Sequence, residues 1–400
     1  MSFNKSKLAV AVAAAAGLTF SAGAFATNGI MQAGNGMAAH GTGGAGLSNA
    51  NEAMSGFDNP ALVSGTGDSV SMGFSMFMPD RTVSQGGADM DSDAKMFAIP
   101  QVAFTSKIND QMSWGIMANA MGGMNTDYRS GPNLGPATPS FASPQSVDLS
   151  GMLITPTLSY AINNDVSVGA SLLIGYVNLR VRNLFGQAAA GFAGNEGSTM
   201  AYGAKLGVNA KVADGVSIGA ILQPKLSSDE FDFFKNQLAG FGFNGDAELV
   251  LPNLAGVGGK FAVGKSTDIV ADIMYYQWTS VDVFEFFGWE DQIVYKVGIE
   301  FRPTDKIAVR AGVNYGESPI KGGTILPATG MDAATANYPF PAISESHITL
   351  GLGYKMDKNM SINAYYLHSP NNEETSTDGS GVSIAMTQNA FGLGINYQSK

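Results

Sequence analysis

Gln292-Ile293-Val294-Tyr295-Lys296-Val297-Gly298-Ile299-Glu300-Phe301-Arg302, then Pro303-Thr304-Asp305-Lys306, then Ile307-Ala308-Val309-Arg310-Ala311-Gly312-Val313-Asn314-Tyr315: the fold of this chain turns on how this stretch is read. Side chains in a strand point to opposite faces with period two. Ile293, Tyr295, Val297, Ile299 and Phe301 therefore share one face, and Gln292, Lys296, Gly298, Glu300 and Arg302 share the other. After the turn, Ile307, Val309, Ala311, Val313 and Tyr315 alternate with Ala308, Arg310, Gly312 and Asn314. Each arm has one apolar face and one polar, Gly-rich face. A soluble sandwich shows the same alternation, its apolar face against a second sheet. Arm number, turn spacing and export signal decide between the two.

The pattern repeats from about Asp68 to Tyr397. Short turns fall near Asn109-Asp110, Asn163-Asn164-Asp165, Ala213-Asp214-Gly215, Lys265-Ser266-Thr267, Thr304-Asp305 and Asp357-Lys358-Asn359. Longer polar or Gly/Pro-rich stretches lie at 80–95, 122–145, 183–199, 232–246, 281–290, 317–342 and 369–383. Six short turns and seven long loops separate fourteen arms, predicted near 68–79, 96–107, 112–121, 147–162, 166–181, 200–212, 216–230, 248–263, 268–280, 291–302, 307–316, 344–355, 360–368 and 384–397. An even strand number with short turns at one end and long loops at the other is the pattern of a bacterial outer-membrane barrel. Tyr160, Tyr176, Tyr202, Tyr275, Tyr315, Tyr354, Tyr366 and Tyr397 crowd the apolar-face ends, as interfacial girdles do.

The N-terminus reads as an export signal. Lys5 and Lys7 form a basic n-region, Leu8 to Phe20 an apolar h-region and Ala24-Phe25-Ala26 a cleavage site, so the mature chain is expected to begin at Thr27. No later stretch approaches the roughly 20 uninterrupted apolar residues of a membrane helix. Cysteine is absent, which excludes disulfides and thiolate chemistry. The net charge of −11, or −13 without the two signal lysines, argues against a nucleic-acid partner and is accounted for by acidic surface loops. Many of the 51 glycines fall on the polar strand face, where a curved wall or a close lumenal plug leaves little room. Residues 27–67 break the rhythm, being small and Gly-rich with one helical candidate around Ser48 to Phe57. They carry too little apolar surface for a core of their own, so a periplasmic tail and a plug inside the barrel both stay open. The expected division is a signal at 1–26, an N-terminal segment at 27–67 and a barrel at 68–400.

Further residues extend this reading. The N-terminal segment runs into Phe57-Asp58-Asn59-Pro60-Ala61-Leu62 ahead of the first strand; Trp114-Gly115-Ile116, Gly122-Gly123-Met124-Asn125-Thr126-Asp127-Tyr128 and Arg310-Ala311-Gly312-Val313-Asn314-Tyr315 follow in order. Across essentially the whole mature chain these resemble the long-chain fatty acid transporter family of the outer membrane (FadL/TodX type). The resemblance implies an all-β, 14-stranded antiparallel transmembrane barrel with an N-terminal hatch inside the lumen. It also implies a monomer in the bacterial outer membrane, without cofactor, metal or catalytic residues, that takes up long-chain fatty acids or related hydrophobic compounds passively. In the implied route, ligand is collected between two long outer loops, moves to a pocket above the hatch and leaves through a gap made by an inward kink of the third strand. Gly122 and Gly123 are the candidates for that kink, and Asn59-Pro60-Ala61 for a hinge of the hatch. One departure is that such barrels end on an aromatic residue, whereas Tyr397 is followed by Gln398-Ser399-Lys400.

Two loops carry Phe185 and Phe192, then Phe231, Phe233, Phe234, Leu238, Phe241 and Phe243. Exposed aromatic clusters mark binding surfaces, and these are the loops of the family's outer groove; outer-leaflet contact or loop-on-loop packing is the plainer alternative. Lys205, Lys225, Lys260, Lys296, Arg302, Arg310 and Lys355 fall on the polar face. Facing lipid at mid-depth would cost each about 2–4 kcal/mol, so they are expected to point inward. Lys205, Lys225, Lys296, Arg302 and Arg310 are then candidates to hold a carboxylate head group. Cross-strand pairing competes with that role: counted from the turns, Glu300 comes near Arg310 and Asp272 near Lys260. Met117, Met124 and Met274 suit a pliable apolar channel, while Met72 and Met76 face lipid.

Gly41-Thr42-Gly43-Gly44-Ala45-Gly46 matches G-x-G-x-x-G, but it neither follows a strand nor opens a βαβ unit and reads as a chance match. His40, His347 and His368 lack metal-ligand spacing, and no G-x-S-x-G elbow is present. Ser346-His347 leaves an outer-membrane lipid hydrolase as a distant third reading. The runner-up is a porin with an aqueous lumen, against which stand the N-terminal segment and the Phe-rich loops. Fatty acids and monoaromatic hydrocarbons both need only an apolar groove, and the sequence does not separate them.

Overall fold

The computed structural model describes residues 28–129, 145–182 and 195–399. The export signal and the groove candidates Phe185 and Phe192 lie outside them. Among the described residues, fourteen long strands form one antiparallel sheet: β1 (Asp68–Gln85), β2 (Phe97–Lys107), β3 (Met112–Asp127), β4 (Ser146–Ala161), β5 (Val166–Arg182), β6 (Asn195–Ala213), β7 (Val216–Gln223), β8 (Asn253–Val263), β9 (Thr267–Gln277), β10 (Gln292–Phe301), β11 (Ile307–Tyr315), β12 (Ser346–Lys355), β13 (Met360–Thr375) and β14 (Val382–Ser399). Each pairs with its sequence neighbour, and β1 pairs with β14 from Asp68↔Ser399 to Gln85↔Val382. The sheet closes into a 14-stranded barrel.

The opening stretch pairs as its alternation requires, with Val297 opposite Val313 and Glu300 opposite Arg310. Tyr295, Val297, Ile299, Val313 and Tyr315 face outward and are exposed, whereas Lys296, Arg310 and Asn314 are buried in the lumen. No helix among the described residues is long and apolar enough to cross a membrane. The outward apolar belt of a closed barrel does so instead.

Two groups of boundaries differ from expectation. β1, β3, β6 and β13 run on to Gln85, Asp127, Asn195 and Thr375 at their outer ends. Beyond the bilayer both strand faces meet water or loops, so the apolar alternation that marks a strand in sequence fades there. Conversely, the arms predicted at 216–230 and 248–263 stop at Gln223 and start at Asn253. Pro224 has no N–H to give to the ladder, and the chain turns inward behind it, placing Leu226 over Gly203.

Residues 28–67 lie inside the ring. Gly36 N donates to Gln101 Oε1 of β2 (2.9 Å), Gly43 N to Thr349 Oγ1 of β12 (2.8 Å), Gly46 N to Asp272 Oδ2 of β9 (2.7 Å) and Ala53 N to Ser71 Oγ of β1 (3.0 Å). The segment has only short helices, one of them the single turn Ser55–Asp58 where a longer helix was expected, so wall side chains satisfy many of its backbone groups. Contact is close enough to explain the glycine-rich inner face. A Cβ on Gly312 of β11 would come within 2.2 Å of Gly43 N. The G-x-G-x-x-G match at 41–46 is thus a packing surface.

Candidate functional site

β3 departs from the wall partway up. It pairs with β2 only from Lys107↔Ser113 to Val102↔Ala118, although β2 continues to Phe97 along β1 and β3 continues to Asp127 along β4. Opposite β4, the register steps from Ala120↔Met152 to Gly122↔Gly151, so Met121 is one extra residue, a bulge. Gly122 sits at φ +150°, where a Cβ would come within 2.5 Å of Ile30 O, and Gly123 N donates to that carbonyl at 3.2 Å. From Met117 to Met124 every residue is buried, where a strand in the wall would alternate. The strand leans into the lumen and leaves a gap between β2 and β3. Arg81 spans that gap from β1, its Nη1 donating to Asn125 O of β3 at 2.5 Å. In sequence Arg81 falls in the stretch expected as a loop at 80–95, and Pro79-Asp80-Arg81-Thr82 carries no local signal of a strand.

Beside the gap the lumen holds a cavity of about 40 Å3, room for about three waters. Apolar Met31, Leu47, Phe57, Met121, Leu153, Ile221, Leu254 and Met274 line it together with Asp58, Lys205, Gln223, Asp272 and Lys296. Lys205 Nζ donates to Phe57 O at 3.0 Å and lies 5.4 Å from the Phe57 ring centroid; Lys296 Nζ donates to Ala33 O at 2.7 Å. These two candidates therefore clasp the N-terminal segment. The other three are paired with acids. Lys225 Nζ meets Glu248 Oε2 at 2.8 Å, Arg310 Nε meets Glu300 Oε2 at 2.6 Å, and Arg302 Nη1 reaches both Glu300 Oε1 (2.6 Å) and Asp268 Oδ2 (2.8 Å). The Glu300–Arg310 pairing matches the register counted from the turns; the pairing of Asp272 with Lys260 does not. Gly258 is opposite Asp272, and Lys260 instead meets Asp268 at 3.3 Å. The turn between β8 and β9 joins Val263 to Thr267, which shifts the partner of Lys260 from the position counted.

Asn59-Pro60-Ala61 is held from three strands. Asn59 Nδ2 donates to Leu47 O (2.8 Å) and Val208 O (3.0 Å), and Ala61 O accepts from Ser159 Oγ and Ser167 Oγ, both at 3.0 Å.

At the outer end the Phe-rich loop is folded in. Phe231, Phe234, Leu238 and Phe243 are buried, and only Phe233 and Phe241 are half-buried, so these residues do not form the exposed cluster expected of them. They join an aromatic core from the 278–291 and 317–342 stretches: Phe284 stacks on Trp289 (4.6 Å), Trp278 meets Trp289 edge-on (5.2 Å), Phe287 meets Phe340 (4.7 Å) and Phe243 meets Phe286 (5.1 Å). Aromatic pairing of this kind adds about 1 kcal/mol per contact beyond area burial, which keeps the loops shut. The stretch 281–290, expected as a polar or Gly/Pro-rich loop, is instead an aromatic one, and Val283-Phe284-Glu285-Phe286-Phe287-Gly288-Trp289 carries that signal openly. The core reaches down to Gly29, whose Cα lies against the Trp278 ring.

The segment also carries titratable groups. Burial pushes the Glu52 carboxyl up to about 7 against the pull of Ala38 N–H and Arg310, and Asp58 up to about 6 against Asn35, Lys296 and Lys205. Burial takes His40 down to about 4. A seated segment thus holds carboxyl protons that a solvated one releases, and seating weakens as pH rises from about 4.5 to 7 for Glu52 and from about 3.8 to 6 for Asp58. His40 opposes this between about 4 and 6.5. The two carboxyls outweigh one imidazole, so residual conductance in a planar bilayer is expected to rise between about pH 5 and pH 7.5, and Glu52→Gln to flatten the rise.

The family model for the outer membrane protein transport proteins (OMPP1/FadL/TodX) matches residues 12–400. No curated protein matches by sequence. Among solved structures, the toluene transporter TodX of P. putida is 18% identical, with 92% of this chain and 99% of that chain covered at a TM-score of 0.68. A Pseudomonas aeruginosa FadL homologue is 17% identical over 92% and 99%, at 0.67, and the Ralstonia pickettii toluene transporter TbuX 14% identical over 92% and 99%, at 0.65. A closed 14-stranded barrel with residues 28–67 in the lumen, matched by that family model over nearly its whole length, belongs to the FadL/TodX family of outer-membrane transport proteins for hydrophobic compounds.

Proposed function

We propose that this barrel takes up long-chain fatty acids or related hydrophobic compounds passively, by way of the outer aromatic loops, the lumenal cavity beside residues 28–67 and the gap between β2 and β3. The observation that carries this reading is the gap itself. Its lumenal edge, Ala120 and Met121, also lines the cavity, so a solute leaving sideways meets the bilayer and never the periplasm. Apolar solutes gain from that route because a lipopolysaccharide leaflet resists their crossing while a water-filled pore does not attract them. The segment acts as a hatch: a cavity of about 40 Å3 admits neither an acyl chain nor an aromatic ring, so passage requires residues upstream of Asn59 to shift about the anchored Asn59-Pro60-Ala61 step. Lys205 and Lys296 would exchange a backbone carbonyl for a carboxylate as the segment moves. No energy source is needed, since ligand binding alone shifts the equilibrium between seated and displaced states.

In a second reading the solute is a compact monoaromatic hydrocarbon, which asks a smaller shift of the segment than an acyl chain does; the toluene transporters named above share this fold. Uptake of labelled oleate and labelled toluene, measured alongside single-channel conductance of the full-length barrel and of one lacking residues 27–67, tests both. The full-length protein is expected to show no more than a small residual conductance, the shortened one to conduct steadily, and one probe to be carried in preference. A steady large conductance from the full-length protein would sink the hydrophobic route.

A further inference from the structure

The wall is interrupted a second time, between β6 and β7. β6 and β7 pair from Ala213↔Val216 up to Leu206↔Leu222 and no further. Gly203, Ala204 and Lys205 then have no ladder partner on that side until Tyr202 and Ala201 meet the short strand Ser227–Ser228. Between the two paired stretches, Gln223, Pro224, Lys225 and Leu226 face three residues of β6. What seals the seam is a side chain. Leu226 is buried over Gly203, where a Cβ would come within 2.9 Å of it, and its own N–H is committed to the other side, to Leu251 O ahead of β8 at 3.1 Å.

Both faces of this seam are hollow. On the inside, Lys205 and Gln223, the two residues at which pairing stops, line the lumenal cavity, and the buried Gln223 side chain has neither its Oε1 nor its Nε2 hydrogen-bonded. On the outside, Tyr176, Met200, Tyr202, Ser227, Ser228, Asp229 and Glu230 border an open cleft of about 760 Å3. Tyr176 and Tyr202 are exposed outward at the level of the outer aromatic girdle, which places the cleft where the outer leaflet ends. A stretch of wall without ladder hydrogen bonds parts at less cost than the rest of the sheet.

We propose that the β6–β7 seam is a lipid-side entrance, through which apolar solutes already dissolved in the outer leaflet slip past Leu226 into the lumenal cavity. It rests on the hydrophobic-uptake reading and adds a way in to the way out at β3. A solute partitioned into the leaflet then need not return to water to reach the outer loops.

The chain has no cysteine, so a designed pair gives a single defined crosslink. Tyr202→Cys with Ser227→Cys joins directly opposed residues and locks the seam; Val297→Cys with Val313→Cys does the same on an uninterrupted part of the wall. Uptake of labelled oleate and toluene is measured in the oxidised state and again after a membrane-impermeant phosphine reductant. The expected result is loss of most uptake in the oxidised seam variant, recovery on reduction, and no response in the control pair. Equal uptake by the oxidised and reduced seam variant overturns the entrance while leaving uptake itself intact. If neither state nor the parent protein carries either probe, the hydrophobic-uptake reading falls and the entrance falls with it.

Discussion

Deleting Met121 is expected to abolish uptake while leaving the barrel assembled. The bulge consists of one residue: β3 advances by two, from Ala120 to Gly122, while β4 advances by one, from Met152 to Gly151. Its removal restores an even register, so β3 would lie back in the wall and pair with the part of β2, Phe97 to Gln101, that now has only β1 as a neighbour. The added ladder bonds offset the loss of one buried methionine. Gly122 would leave its left-handed backbone state and the contact with Ile30 O would be lost. Heat-modifiable migration on a gel should match that of the parent. Uptake of oleate and toluene should fall at least about tenfold, the factor that a barrier higher by about 1.4 kcal/mol gives. Undiminished uptake by a fully assembled variant would remove the lateral exit from the proposed route.

Asn59→Ala should unseat the N-terminal segment without harming the barrel. Asn59 is wholly buried, and its amide ties Leu47 O inside the segment to Val208 O on β6 while its Oδ1 accepts from Ala61 N at 3.0 Å. Alanine leaves those three backbone groups without this partner. The expected cost is about 3 kcal/mol, which multiplies the unseated fraction roughly a hundredfold. The strands do not depend on this residue for pairing, so assembly and outer-membrane yield should be unchanged. In a planar bilayer the variant should flicker to a conducting state that the parent visits roughly a hundredfold less often. Asn59→Asp retains the acceptor for Ala61 N but loses the donor, and should fall between the two. A variant as silent as the parent would mean that this step does not control the hatch.

Residues that read clearly in sequence did so because one environment governed each face. Val297, Ile299 and Val313 meet lipid on one side, and Gly298 and Gly312 meet the N-terminal segment on the other, so alternation survived in the letters and gave strand number, register and the Glu300–Arg310 pairing. Phe231, Phe234 and Phe243 were legible as an aromatic group and misread as exposed. Phe286, the partner of Phe243, comes from a loop some forty residues on, and nothing local announces that the two loops close on one another. Lys205 and Lys296 were legible as inward-facing, but their use in clasping Phe57 O and Ala33 O was not, because a carbonyl partner leaves no mark on residue identity.

Sequence by itself determined that this chain is a fourteen-stranded outer-membrane barrel, since period two against lipid is imposed residue by residue on every strand. That residues 28–67 lie inside the barrel, and where the wall opens, were decided only in three dimensions. Seating depends on glycine faces such as Gly43 and Gly312 meeting across some 270 residues of chain, and an opening in a sheet is the absence of a partner on a neighbouring strand. Neither is a property of any one stretch of sequence; both belong to pairs of stretches brought side by side.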